Sequence, residues 1–183
     1  MAFESQKAPV AANVSRDLVR TLIAENYPAL ANDLLGPLLE LLSLSRKACD
    51  GDADKFLIML VVARRTTEHE LFASFSQDEL LSGRIPVFPS LGTNISSVAD
   101  SLGAPKETIR RKVAELVEAG WIVRQGHELR FTAVAYQELA QVRVAIERMA
   151  ARNFETVNDL VRRATSARPG SGGRKRAHCR APR

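Results

Sequence analysis

The 183-residue chain is short of aromatic residues, at 5% of its composition, and it holds only 2 cysteines and 3 histidines. Each shortage closes off a class of function. Cys49 and Cys179 stand alone, with no Cys-x-x-Cys pair and no histidine at a zinc-ligand spacing, so no metal site is expected. Cys49 falls in a helical stretch, where a lone thiol reads as a small buried hydrophobe rather than a redox sensor. The longest unbroken apolar run, Phe56 to Ala63, is far below the roughly 20 residues that span a bilayer, and no membrane segment is expected. Met1 to Asn13 carries Glu4 and Lys7 and lacks the apolar centre of a secretory signal, which makes a cytoplasmic location the expectation. No nucleophile stands at a working distance from a base, and there is no Gly-x-x-x-x-Gly-Lys phosphate loop, so an enzyme is the least favoured class and no cofactor is expected. His69 lies between Glu68 and Glu70, but neighbours on a helix point about 100° apart and cannot converge on one ion. The stretch reads as a solvated helical face.

A hydrophobic fraction of 45% with so few aromatics suits a mainly helical protein with an aliphatic core, and the length is ample to bury one. The net charge of +5 is unevenly spread. Residues 1–92 hold 9 basic and 12 acidic groups, residues 93–132 hold 6 and 5, and residues 133–183 hold 11 and 4. From Arg168 to Arg183 there are 6 basic groups and no acidic one, which leaves the rest of the chain at −1. Global basicity therefore says little about the folded part, and local placement has to carry any argument about a polyanionic partner.

Residues 1–13 lack periodicity and read as a flexible arm. Ser15 can cap a first helix in which Leu18, Val19, Leu22 and Ile23 recur at helical spacing and which Pro28 is expected to end. A second, leucine-rich helix is expected from about Leu30 to Cys49, kinked or broken at Gly36-Pro37. Asp50-Gly51-Asp52 is a turn, and Ala53 to Phe75 reads as the central buried helix. Ser76-Gln77-Asp78-Glu79 matches a capping box opening a short helix that Gly83 ends. The two prolines of Ile85-Pro86-Val87-Phe88-Pro89 force extended backbone on a connector that can pack as a short strand beside a β-hairpin further along the chain.

The stretch Asn94 to Thr132 organises the chain. Asn94 caps a helix with Ile95, Val98, Ala99 and Leu102 on one face, and Gly103 ends it in a left-handed turn. Pro105 suits the start of the next helix, where Ile109, Val113, Leu116 and Val117 form the apolar stripe and Gly120 is the stop. The opposite side presents Glu107 and Arg111, flanked by Thr108 and Arg110, with Lys106 and Lys112 on the same helix. Trp121 to Arg124 and Leu129 to Thr132 are β-prone runs around a turn containing Gly126 and His127, with Leu129 and Phe131 on one face and Arg130 on the other. After it, Thr132 caps a long amphipathic helix from Ala133, with Val134, Leu139, Val142, Ile146 and Met149 on its apolar side, continuing through Phe154, Val157 and Leu160. From Ala167 onward Pro, Gly, Ser and Arg dominate, a basic tail with too little apolar content to fold.

Val98-Ala99-Asp100-Ser101-Leu102-Gly103, then Glu107-Thr108-Ile109-Arg110-Arg111-Lys112-Val113, then Gly120-Trp121-Ile122 resemble bacterial winged helix-turn-helix transcriptional regulators over about forty residues. The Thr108-Ile109-Arg110-Arg111 run looks like the recognition helix of DeoR-type repressors, while its placement between N-terminal and C-terminal helices looks more like MarR-type dimers. The short turn Gln125-Gly126-His127-Glu128 departs from the longer wing of the latter. The resemblance implies a mainly α fold with a small β-hairpin wing. With the residue pattern it divides the chain into an N-terminal lobe over 14–84 for dimerisation or sensing, the winged module over 85–132, C-terminal dimerisation helices over 133–166 and a tail over 167–183, a partner chain being expected on the C-terminal helices alone or together with the N-terminal ones. It also implies a homodimer on double-stranded DNA, with the 105–119 helix in the major groove and Lys106, Glu107, Thr108, Arg110, Arg111, Lys112, Arg124, His127 and Arg130 as the DNA-facing set. The competing reading is a winged-helix module that docks a protein partner without reading DNA. A third adds a small-molecule effector held by the helical lobe, although no residue constellation names one.

Overall fold

A computed structural model describes residues 15–166, so the arm at 1–13 and the tail at 167–183 lie outside the described residues. The protein is mainly helical, with a single two-stranded antiparallel sheet among the described residues. It divides into two units, Leu35–Ala150 and a second made of Met1–Leu34 with Ala151–Arg183. In the second unit Leu30 and Leu160 are the buried aliphatic residues among those described.

Helix α1 spans Arg16–Ala48, and the Ser15 hydroxyl accepts the Leu18 N–H at its start. The expected stop at Pro28 and break at Gly36-Pro37 do not occur, because the helix runs unbroken through both prolines. Gly36 eases the second passage, since it has no Cβ to meet the Pro37 ring. Along its C-terminal half Pro37, Leu41 and Ser45 recur every fourth residue and are buried, and Cys49, just past its end, continues the series. Burial, with Asp52 acting in the same direction, pushes the Cys49 thiol up to about 11, so it stays protonated at neutral pH and packs as a hydrophobe.

Asp50 and Gly51 turn the chain in left-handed conformations, and the Asp52 carboxylate accepts the N–H groups of Asp54 and Lys55 to cap α2, Ala53–Thr67. Phe56, Ile58, Met59, Val62 and Thr66 of α2 are buried, which makes it the central helix the sequence implied. It is shorter than expected. The chain leaves it at Glu68, and His69 caps a separate four-residue helix α3, Glu70–Ala73, its Nδ1 accepting the Leu71 N–H at 3.3 Å. Helix α4, Gln77–Leu81, opens on the expected capping box, with Ser76 and Glu79 bonded reciprocally.

Asn94 caps α5, Ile95–Leu102, through a 3.0 Å bond from the Ser97 N–H, and α6, Lys106–Glu118, follows across Gly103. At φ 61° Gly103 occupies the left-handed region, where an added Cβ would meet no heavy atom within 4 Å. Gly103→Ala is therefore expected to destabilise the protein through backbone strain alone, by about 1 kcal/mol in urea unfolding. A loss several times larger would mean that a contact had been broken as well.

Gly120 ends α6 at φ 72°, with the Trp121 N–H bonded back to the Leu116 carbonyl. Strands β1, Ile122–Gln125, and β2, Glu128–Phe131, pair in the register Ile122 with Phe131 and Gln125 with Glu128, so Gly126-His127 is a two-residue turn. The 85–89 connector lies against this hairpin by single bridges rather than a strand: Val87 pairs with Thr132, and the Phe88 N–H donates to the Phe131 carbonyl at 3.0 Å. Thr132 caps α7, Ala133–Glu138, as expected, but the long helix after it is interrupted at Leu139 before α8 runs over Ala140–Ser166. The core of the larger unit is continuous across residue 85: Phe56, Met59 and Val62 share one cluster with Ile109, Leu129 and Tyr136. Residues 35–84, 85–132 and 133–150 thus contribute to one core.

Candidate nucleic-acid interface

Helix α6 is held by its inner side. Ile109, Val113 and Leu116 are buried, and α6 packs on α5, α2 and β1. The outer side is polar and open. Lys106, Glu107, Arg110 and Arg111 are exposed and Thr108 is half-buried. Arg110 lies 3.4 Å from Glu107, both well exposed, an ion pair that solvent screens and that adds little stability. Arg111 has no carboxylate within 4.0 Å among the described residues.

Lys112 does not join this face. It is buried, and its ammonium bonds Asp52 and lies 3.5 Å from Asp54, at the start of α2. The apolar spacing of α6 gave no sign of this, because the partner lies 60 residues upstream. A second tie, Lys55 to Glu115 at 2.7 Å, joins the same two helices. Asp52, Asp54, Lys55 and Glu115 were not singled out by the sequence, and with Lys112 they clamp α6 on α2. The sequence-based assignment of Lys112 to DNA contact is corrected accordingly.

The charges of the clamp reinforce one another. Burial alone would raise the Asp52 carboxyl, but the Lys112 hydrogen bond and two backbone N–H donors outweigh it and hold the group below its ordinary range. The Lys55 hydrogen bond holds Glu115 below its range, while Asp52 lifts Lys112 and Glu115 lifts Lys55. Depressed carboxyls contribute stability that is present above the unfolded value near pH 4 and lost as pH falls through the folded one. Raised ammonium groups contribute below about pH 10.4 and lose it as pH rises through the folded value. The clamp is thus complete across the neutral range. Lys112→Met keeps the buried stem and removes the charge, and it is expected to lower stability by about 1–2 kcal/mol, between a surface and a buried pair. Its stability should also fall less than the wild type's between pH 5 and pH 3. Identical acid profiles would show that the pair contributes nothing to folding.

On the hairpin, Arg124 and His127 are exposed, His127 within the turn. Arg130 is half-buried and bonds Glu128 at 2.6 Å, so it is a partnered residue rather than a free cation. As the alternation implied, Leu129 and Phe131 face inward. The Thr132 hydroxyl donates toward the Gly120 and Trp121 carbonyls, pinning the hairpin's exit to the end of α6. The arrangement therefore brings Lys106, Glu107, Arg110 and Arg111 onto one open helix face, leaves Arg124 and His127 on the hairpin, and withdraws Lys112.

Among the described residues no group of three or more His, Cys, Asp or Glu is able to hold a metal ion, and no helix is long and apolar enough to cross a membrane. Compared with known proteins, the chain matches no family model, no curated protein and no solved structure.

Proposed function

We propose that α5, α6 and the β1–β2 hairpin form a winged helix-turn-helix and that the protein is a sequence-specific, double-stranded-DNA-binding regulator. The observation that carries this reading is the division of α6: its inner side is locked by three buried aliphatics and the Lys112 clamp, while Arg110 and Arg111 stand adjacent and exposed on its outer side. A helix fixed in that way can enter a major groove as a rigid body, with arginine bridging guanine O6 and N7 and lysine or arginine nearby meeting phosphate. Lys106 and Arg124 are suited to the phosphate role.

A homodimer belongs to the same reading. On α1 Leu35, Leu38, Leu39 and Leu42 are 51%, 40%, 66% and 50% exposed, although the helix already buries Leu41 and Ser45 on another side. A helix apolar on two sides has a second partner. The four positions are symmetric about their midpoint and none is charged, so antiparallel pairing about a two-fold axis sets Leu35 of one copy against Leu42 of the other. On a pseudo-palindromic site the two recognition helices of such a dimer would enter successive major grooves, about 34–36 Å apart.

Selection from random duplexes with the full chain, at two salt concentrations, tests the reading. An enriched palindrome whose binding weakens steeply with salt supports it. Binding without a motif, abolished by deletion of residues 168–183, would assign the affinity to the tail and favour the alternative, a module that docks a protein partner. Leu39→Glu is expected to convert a dimer to monomer in sedimentation, and a wild type that sediments as a monomer would remove the dimer from the proposal.

A further inference from the structure

Within the Leu35–Ala150 unit a cavity of about 370 Å³ opens among α2, α3, the end of β2, α7 and α8. Its walls are nearly all apolar, with Phe56, Met59, Phe72, Phe131, Tyr136 and Val142 contributing. The polar groups that line it are mostly engaged. The Thr66 hydroxyl donates to the Val62 carbonyl and the Thr67 hydroxyl to the Arg64 carbonyl, each within α2. The Arg64 guanidinium is paired with Glu68 at 2.9 Å.

Arg143 is different. Its guanidinium lies 3.7 Å over the Tyr136 ring and donates one bond to the Tyr136 carbonyl, where the chain breaks between α7 and α8. Among the described residues no carboxylate comes within 4.0 Å of it. Stacking occupies a face of the guanidinium and the carbonyl takes one edge, which leaves further N–H donors in its plane. A half-buried cation that the protein has oriented but not neutralised, at an otherwise apolar cavity, selects for an anion.

We propose that this cavity binds a small monocarboxylate with an apolar body, the carboxylate on Arg143 and the body among Phe56, Met59, Phe72 and Phe131. Arg143 is the lining cation without a carboxylate partner among the described residues, while Arg64 already holds Glu68, and this favours one negative charge over a phosphate or a dicarboxylate. The volume lies in the lower part of the range for small-ligand pockets and suits a body of about 10–18 non-hydrogen atoms. This binding does not depend on the DNA reading. The two can succeed or fail separately.

Titration calorimetry on the full chain with decanoate, 1-decanol and decylammonium tests the proposal, since the three share a chain and differ in head-group charge. Decanoate is expected to bind one per chain, the alcohol about tenfold or more weaker and the ammonium not at all, because a charge-assisted pair is worth more than a neutral one. Arg143→Gln should weaken decanoate about tenfold and leave the alcohol within about threefold. Ala63→Phe, which fills the cavity, should abolish both while the circular dichroism spectrum is unchanged. Equal affinity for acid and alcohol, an unaltered decanoate affinity in Arg143→Gln, or no decanoate binding by the wild type would each overturn the assignment. Should either variant fail to fold, the comparison of the three head groups on the wild type decides alone.

Discussion

Urea unfolding of Phe88→Ala is expected to show a loss of about 3–5 kcal/mol relative to the wild type, with the midpoint shifted and the slope unchanged. Phe88 is only 1% exposed although it sits on the connector between α4 and α5 rather than in a helix or strand. Its ring meets Phe72 of α3 and Tyr136 of α7 edge-on, both at 5.6 Å, and Phe131 of β2 at 6.1 Å. These four rings come from four separate segments, so Phe88 ties the connector to α3, β2 and α7 at once. Truncation removes the transfer energy of a buried ring, leaves a void, and forfeits edge-to-face pairs worth about 0.5–1.5 kcal/mol each. Against a typical domain stability of about 5–15 kcal/mol the loss is severe. Leu91→Ala, at an exposed position on the same connector, serves as the comparison and should change stability by no more than about 0.5 kcal/mol. A Phe88→Ala loss below about 1 kcal/mol would mean that the connector is not locked by its ring.

The parts of the fold that could be read from the sequence were those decided within a few residues. The Asn94 and Thr132 caps, the Ser76–Glu79 box, the stop at Gly103 and the alternation of Leu129, Arg130 and Phe131 depend on side chains meeting backbone one to four positions away. Local chemistry settles such features before the chain packs. Where the reading failed, tertiary context outweighed local propensity. Pro28 and Pro37 each remove a helical hydrogen bond, yet α1 continues through both, its C-terminal half held by buried Leu41 and Ser45. Conversely, nothing in the periodicity marks the breaks at Glu68-His69 and Leu139. There the apolar spacing runs on while the His69 ring and the Arg143 guanidinium take up backbone groups at the interruptions.

The same distinction applies to the site. Which side of α6 faces inward followed from the spacing of Ile109, Val113 and Leu116, so the exposure of Glu107, Arg110 and Arg111 was legible. Lys112 was misplaced because its position between the stripe and the open face is ambiguous on a helical wheel. Only the arrival of Asp52 and Asp54 from another helix decides it. The cavity at Arg143 was illegible for the same reason, since its walls are drawn from residues 56 to 146 and share no motif. Hydrophobic patterning tells which residues turn inward, not where they fail to fill the interior.

If α6 reads DNA, the clamp and the open face separate cleanly in mutants, and Arg111→Ala has the largest expected effect on binding. One arginine bridging a guanine discriminates by about 1–3 kcal/mol, and a homodimer carries the change in both half-sites, so the selected operator should lose about 2–6 kcal/mol, or about 30-fold to 10⁴-fold. The loss should be confined to the base pairs that Arg111 contacts, with competing sequences discriminated less well than before. Lys106→Ala should instead weaken all duplexes alike and reduce the slope of log affinity against log salt by about 1 per copy, as a phosphate contact does. Lys112→Met supplies the internal control. It removes a positive charge from the same helix, but one already neutralised by Asp52 and turned inward, so at temperatures where the variant is folded its affinity and salt slope should match the wild type's. Equal binding by Arg111→Ala and wild type would remove Arg111 from base reading. A salt slope lowered by Lys112→Met as much as by Lys106→Ala would mean that general basicity, not the outward face of α6, governs the interaction.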